Sequence, residues 1–309
     1  MSVDFLVGST GFVGSNLAEQ HKFSALFSSV NIKEAYDMRP DLLVYAGVPS
    51  EMFTANEHPD EDIRIIDAAE QNISRIAPHK LVLISTAAVY PDPSGCTEDT
   101  AIDEALLLPY GANRLALERW AERNIHRCLI VRLPALFGKN LRKNFIYDII
   151  HRIPPILTEA KFTVLSGSAP ELAEYYSPYG RGFMKCREIS SLEEDKLRQI
   201  FRTLGFSSVN FTDSRSAYQF YPLKYLWQHI STALSCGLKR LNLATPPLSA
   251  AEVYRFLTGR KFVNELTKPP FSYDIRTKHY ELFGGKNGYI MSCGQELADL
   301  REFVGEAGL

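Results

Sequence analysis

The sequence has no dense block of lysine and arginine, no long apolar run and no cysteines at metal-ligand spacing. Its 34 basic and 36 acidic residues nearly balance, so neither nucleic acid nor an anionic membrane is expected as the main partner. No run approaches the roughly 20 apolar residues that span a bilayer. The five scattered cysteines predict reduced thiols, with no disulfide framework and no metal site. Asp4 and the glycines after it leave no room for a signal peptide, so we expect a cytoplasmic protein.

The first half of the chain alternates apolar runs with segments of helical spacing. Residues 42–47, 81–86 and 128–133 are typical of buried strands, while residues 61–75 and 107–124 have the spacing of helices. Strands that alternate with helices predict an α/β fold in which a parallel sheet is covered on both faces.

A glycine-rich turn lies between the first strand and the first helix. Gly8, Gly11 and Gly14 come after the apolar residues 5–7 and lead into residues 15–20, which are predicted to be helical. Glycines let backbone amides approach a phosphate, and the dipole of a helix favours negative charge at its N-terminus. The turn therefore predicts a site for the pyrophosphate of a dinucleotide.

Two further segments carry groups that could perform chemistry. Thr86 comes at the carboxyl end of a predicted parallel strand, where ligands bind in open α/β sheets. Tyr110 opens a predicted helix, and Arg114 lies four residues later on the same helical face. Thr86 is therefore expected at a ligand site, and Tyr110 and Arg114 are expected next to each other on their helix.

Together with the glycine loop, these residues resemble the extended short-chain dehydrogenase/reductases of the NAD-dependent epimerase/dehydratase family. Residues 39–47, 132–138 and 218–223 are also similar to that family. The resemblance implies a Rossmann-type doubly wound parallel sheet with a smaller mixed α/β C-terminal lobe. The expected dinucleotide-binding domain covers residues 1–138, with about 223–245 returning to it, and the expected substrate-binding lobe covers 139–222 and 246–309.

The resemblance also implies roles for individual residues. Tyr110 would move the proton and Thr86 would hydrogen-bond the same substrate oxygen. Arg114 stands where the family has a lysine, and its permanent charge could stabilise a tyrosinate and contact the nicotinamide ribose. The alternative is that Arg114 only pairs with Glu118 on the helix surface.

Nicotinamide cofactor is implied, and the choice between NAD and NADP is open. The second strand ends without the acidic residue typical of NAD enzymes, and Lys33 lies close by. The implied cofactor-binding residues are Gly8, Thr10, Gly11, Phe12, Val13, Gly14, Ser28, Ala46, Gly47, Ser85, Tyr110, Arg114 and Pro134.

The two residues after Thr86 narrow the implied reaction. Family dehydratases carry an Asp-Glu pair where this chain has Ala87 and Ala88, so a 4,6-dehydratase is disfavoured. Two reactions remain, epimerisation through transient oxidation and reduction of a keto group. The implied substrate is a sugar nucleotide or a related activated sugar. The expected substrate contacts are Thr86, Asn144, Arg215 and Arg276.

A second hypothesis is a cofactor-binding sensor or scaffold that has lost catalysis. It is motivated by Arg114, Ala135 and Tyr218, which stand where the family has functional residues. The sequence leaves the oligomeric state open, and a homodimer is one of the alternatives.

Overall fold

The computed structural model describes residues 2–180 and 182–307, which form two compact units. The first unit contains the chain up to Asn140 together with Ala217–Leu248 and Ser272–Phe303. The second contains Leu141–Ser216, Ser249–Phe271 and the chain from Val304 onward.

The described strands are, in chain order, β1 (Asp4–Val7), β2 (Ala25–Phe27), β3 (Leu42–Tyr45), β4 (Leu81–Thr86), β5 (Cys128–Leu133), β6 (Ala135–Phe137), β7 (Ile156–Thr158), β8 (Tyr176–Gly180), β9 (Phe183–Cys186), β10 (Ala217–Tyr218), β11 (Phe220–Pro222), β12 (Arg240–Asn242) and β13 (Leu248–Ser249). The described α-helices are α1 (Phe12–Gln20), α2 (Met52–Glu57), α3 (Pro59–Ile76), α4 (Pro109–Asn124), α5 (Phe145–His151), α6 (Glu159–Ser168), α7 (Ser191–Thr203), α8 (Leu226–Ser235), α9 (Ala250–Thr258) and α10 (Cys293–Glu306).

A six-stranded parallel sheet forms the centre of the first unit. Its order is β12-β5-β4-β3-β1-β2, and every pair in it is parallel. Strand β1 lies in the interior, with β2 on one side and β3 on the other, so the chain winds outward in both directions. The predicted fold class, a Rossmann-type doubly wound sheet, is confirmed.

Helices cover both faces of this sheet, so both faces are buried. Successive side chains of a strand point to opposite faces. Leu6 of β1 packs in a cluster with Leu17 of α1 and Ile230 of α8. Phe5, the preceding residue, packs in the opposite cluster with residues of α3 and α4. Burial on both faces explains why these strands are continuous apolar runs instead of alternating polar and apolar residues.

The second unit has its own small sheet and its own core. Strands β7, β9 and β8 pair in an antiparallel arrangement. Leu157, Leu165, Leu197 and Phe201 pack together in the core of this unit. Helix α7 begins with a capping box in which Ser190 and Glu193 hydrogen-bond each other's backbone.

The structure divides the C-terminal part of the chain differently from the predicted boundaries. The predicted lobe includes residues 246–309, but Ser272–Phe303 packs within the first unit. Hydrogen bonds explain this, because the Gln219 side chain bonds the backbone of Thr245 and Ile275, and Glu296 accepts a bond from Phe220 N. Among the described residues, no helix combines the length and the apolar composition that crossing a membrane requires.

Candidate active site

The glycine loop is a tight turn at the carboxyl end of β1. Gly8 has a φ of +87°, and a Cβ there would overlap the Ala46 carbonyl. A Cβ on Gly14 would overlap the Gly8 carbonyl, so this residue lets α1 approach the turn. Gly11 precedes the first residue of α1, and no side chain caps the helix there. The helix start therefore presents backbone N–H groups and the positive end of its dipole, which fits the pyrophosphate of a dinucleotide.

A cavity of about 790 Å³ opens above this loop, at the carboxyl ends of β1, β3, β4 and β5. The open edge of a parallel sheet is where α/β proteins bind ligands. The cavity is lined by the following residues, which the sequence predicts to bind cofactor or act in catalysis: Gly8, Thr10, Gly11, Phe12, Val13, Ser28, Ala46, Gly47, Ser85, Thr86, Tyr110, Arg114 and Pro134. Gly14 is not part of the lining and serves the packing of the loop. The functional roles of these residues stay predictions.

Thr86 and Tyr110 come together at one wall of the cavity. Thr86 ends β4, and its hydroxyl accepts a hydrogen bond from Ala88 N at 3.2 Å. Tyr110 is the second residue of α4, and its backbone N–H bonds the Asn56 side chain at 2.9 Å. Both side chains line the cavity, and the Thr86 hydroxyl is close enough to lower the pKa of Tyr110. One substrate oxygen could contact both hydroxyls.

The environment of Tyr110 keeps its phenol neutral. Burial raises the pKa of Tyr110 above its ordinary value of 10, and the Asp62 charge raises it further. The charge of Arg114 and the hydrogen bond with Thr86 lower the pKa, but these effects are smaller than the effect of burial. The Tyr110 hydroxyl therefore keeps its proton at neutral pH.

Arg114 is turned inward and is buried. Its Nη1 donates to the Asp62 carboxylate, and its Nη2 donates to the Pro49 carbonyl at 2.8 Å. The guanidinium carbon lies 3.9 Å from the centroid of the Tyr110 ring. The cation thus stacks on the ring that it was predicted to influence.

The alternative pairing of Arg114 with Glu118 is wrong. Glu118 instead pairs with Arg132 of β5 and accepts a hydrogen bond from the Ser85 hydroxyl at 2.5 Å. Spacing of four residues on a helix made the Glu118 contact plausible, but Glu118 faces β4 and β5 in the sheet, whereas Arg114 reaches Asp62 of α3.

Apart from Thr86, the residues predicted to contact substrate have partners within their own units. In the first unit, Arg276 pairs with Asp274 at 3.0 Å and does not line the cavity. In the second unit, Asn144 caps α5 by accepting bonds from Ile146 N and Tyr147 N, while Arg215 pairs with Asp213. Their role toward a substrate stays a prediction.

Sequence reasoning missed two residues that shape this site. Asp62 lies 52 positions before Arg114, so no local spacing links them. Gly111 is the residue after Tyr110, and a Cβ on it would overlap the Ala88 carbonyl. Because Gly111 lets α4 approach the turn after β4, it allows Tyr110 to reach Thr86. A glycine within the first turn of a helix was the signal that could have indicated this close approach.

Replacing Gly111 with alanine should therefore destabilise the protein by about 1–3 kcal/mol, the usual range for overpacking. The matched control is Gly167→Ala in α6, where an added Cβ meets nothing within 4 Å. Thermal unfolding should show a lower midpoint for Gly111→Ala and an equal or higher midpoint for the control. Equal midpoints for Gly111→Ala and the parent would contradict the close approach described here.

A family model and solved structures agree with this architecture. The model described as NAD dependent epimerase/dehydratase family matches residues 22–166, a range that begins after the glycine loop. The resemblance to the NAD-dependent epimerase/dehydratase family is thereby confirmed over those residues. No curated protein gives a significant match to this chain.

Three solved structures illustrate the similarity of fold. dTDP-4-dehydrorhamnose reductase from Bacillus anthracis, in complex with NADP, is 17% identical with a TM-score of 0.63, and the match covers 99% of each chain. The Bordetella bronchiseptica enzyme WbmG, in complex with NAD and UDP, is 14% identical with a TM-score of 0.65 over 99% of this chain and 95% of that one. UDP-N-acetylglucosamine 4-epimerase from Methanobrevibacter ruminantium, in complex with UDP-N-acetylmuramic acid, is 12% identical with a TM-score of 0.60 over 98% and 97%. At these identities the likeness establishes the fold alone.

Proposed function

We propose that this protein is an NAD(P)-dependent epimerase or keto-reductase that acts on a sugar nucleotide or a related activated sugar. The observation that carries the proposal is that Thr86 and Tyr110 line the same cavity as the glycine loop. The family match and the enzymes among the structural neighbours support the same general chemistry.

The cavity has groups suited to holding a nicotinamide dinucleotide. The N-terminus of α1 and the glycine loop would hold the pyrophosphate, and Ser28 at the end of β2 would face the adenosine ribose. Cavity residues include no acid at that end of β2, so either NAD or NADP would be accommodated. When bound, the nicotinamide would supply or accept the hydride.

Proton transfer would fall to this chain's own residues. Tyr110 would give a proton to the substrate oxygen or take one from it, while the Thr86 hydroxyl would hold that oxygen in place. Ala87 and Ala88, in the turn after Thr86, cannot transfer protons. A 4,6-dehydratase, which needs further acid and base groups, is therefore disfavoured.

A test is turnover of nucleoside-diphosphate keto-sugars with NADH or NADPH, measured as loss of the reduced cofactor. We expect Thr86→Val to lower turnover at least about tenfold, the equivalent of one hydrogen bond worth 1.36 kcal/mol. Thr86→Ser keeps the hydroxyl and is the matched control, which should retain most of the activity. Equal activity in Thr86→Val and the parent would rule out the role proposed for Thr86.

The second candidate is a cofactor-binding sensor or scaffold without catalysis. The observation that favours it is the ion pair of Arg114 with Asp62, because the Asp62 charge opposes the lowering effect of Arg114 on the pKa of Tyr110. Cofactor binding without turnover of any keto- or hydroxy-sugar nucleotide would support this candidate over the enzyme.

A further inference from the structure

The helix that carries Tyr110 begins without a cap of its own. Leu108 precedes α4 and has no side-chain hydrogen bond to it, and Pro109 is the first helical residue. A serine, threonine, aspartate or asparagine at the place of Leu108 would accept a bond from the N–H of the second or third helical residue. Tyr110 is the second helical residue, so its backbone N–H needs an acceptor from elsewhere.

Asn56 supplies this acceptor from another helix. Its Oδ1 accepts the hydrogen bond from Tyr110 N at 2.9 Å, although the two residues are 54 positions apart in the sequence. Asn56 belongs to α2, which follows directly on residues 48–51 at the wall of the cavity. Asn56 itself is not part of the cavity lining. The side chain therefore contacts the helix that carries Tyr110 from outside the cavity.

Further contacts tie the start of α4 to the same part of the chain. Arg114 Nη2 donates to the Pro49 carbonyl at 2.8 Å, and Asn113 Nδ2 donates to the Asp62 carboxylate at 2.8 Å. On its other side α4 lies so close to the turn after β4 that a Cβ on Gly111 would overlap the Ala88 carbonyl. The first turns of α4 are thus held from two directions, and Asn56 acts on the backbone N–H of Tyr110 itself.

We propose that Asn56 is a positioning residue, which fixes the first turn of α4 so that the Tyr110 hydroxyl lies beside Thr86 in the cavity. The proposal rests on the proposed function, because Tyr110 is the group that would transfer the proton. Asn56 would touch neither substrate nor cofactor. A small shift of the backbone at Tyr110 moves the hydroxyl at the far end of its long side chain, and misplacement by about 1 Å can cost roughly 100-fold in rate.

Hydrogen exchange of the Tyr110 N–H tests the contact in the cofactor-free protein. Magnetic resonance of protein with isotope-labelled tyrosine measures it, and the Tyr110 signal is the one that is absent from Tyr110→Phe. Asn56→Ala removes the acceptor and should raise the exchange rate at least about tenfold. Asn56→Asp keeps an oxygen acceptor at the same place, so its exchange rate should stay close to the parent's.

Turnover tests the consequence for catalysis. Asn56→Ala should lower kcat at least about tenfold and leave the dissociation constant of the nicotinamide dinucleotide within about twofold of the parent's. Asn56→Asp should restore most of the lost turnover. When Tyr110→Phe is already present, adding Asn56→Ala should cause no further loss, because the hydroxyl that Asn56 positions is gone.

The matched control is Asn124→Ala at the other end of α4. Asn124 is exposed, and its side chain donates to the Trp120 carbonyl of the same helix at 2.8 Å. Its loss removes an amide contact with α4 far from Tyr110, so exchange of the Tyr110 N–H and kcat should both stay unchanged. If Asn56→Ala does not fold, Asn56→Gln takes its place. It displaces the amide by one methylene, and we expect changes in the same direction.

Two results would overturn the proposal. One is parent-like exchange and turnover in folded Asn56→Ala. The other is an equal loss from Asn56→Ala with and without the Tyr110 hydroxyl, because a general effect on the fold would act in both backgrounds. Absence of turnover in the parent would overturn the proposed function, and the positioning role with it. Exchange of the Tyr110 N–H would then still show whether Asn56 holds the start of α4.

Discussion

Tyr110→Phe is expected to lower turnover by about 10²–10⁴-fold, the usual contribution of a general acid or base. Phenylalanine keeps the ring on which Arg114 stacks and loses only the hydroxyl. Cofactor affinity should therefore stay close to the parent's value. Steady-state turnover and cofactor titration, measured on the same samples, separate the two effects.

The control for this variant is Tyr179→Phe, which removes a hydroxyl from an exposed tyrosine of the second unit. It should leave turnover unchanged. Parent-like turnover in Tyr110→Phe would mean that another group transfers the proton, and the site described here would not be the catalytic one.

Arg132→Met is expected to cost about 3–5 kcal/mol of unfolding free energy, the range for removing one partner of a buried ion pair. Arg132 and Glu118 are 2% and 1% exposed, with Nη2 and Oε2 2.5 Å apart. Arg132 also donates to the Tyr90 hydroxyl at 2.7 Å. The substitution would leave the Glu118 charge buried without its cation. Denaturant unfolding measures the loss.

A matched control for that prediction is Arg119→Met, because Arg119 pairs with Glu104 at the surface and both side chains are well exposed. Loss of an exposed pair should change stability by no more than about 1 kcal/mol. Similar losses in the two variants would contradict the claim that burial makes the Arg132 pair critical.

The parts of the fold that depend on local pattern could be predicted from the sequence. The apolar runs at residues 42–47 and 81–86 contain β3 and β4, and the helical spacing at residues 61–75 became part of α3. The short strands β7, β8 and β9 were not predicted, because an antiparallel sheet of three to five residues per strand leaves little periodic signal.

The site was predictable only where its residues belong to sequence motifs. The glycine loop, Thr86 and Tyr110 line one cavity, since each ends a parallel strand or starts a helix at the same edge of the sheet. The partner of Arg114 could not be deduced, because Asp62 belongs to a different helix and only tertiary packing joins them. Spacing along α4 gave Glu118 as the alternative partner, but Glu118 pairs with Arg132 of β5.

Binding of a nicotinamide dinucleotide at the glycine loop is tested most directly by titrating the purified protein with NADH and NADPH and measuring nicotinamide fluorescence. The parent should show saturable binding of at least one of the two, and Tyr110→Phe should retain it. Gly11→Asp, which places a carboxylate at the start of α1, should lose it through repulsion of the pyrophosphate while the protein stays folded. No saturable binding of either dinucleotide, or equal affinity in folded Gly11→Asp, would contradict the cofactor site described here.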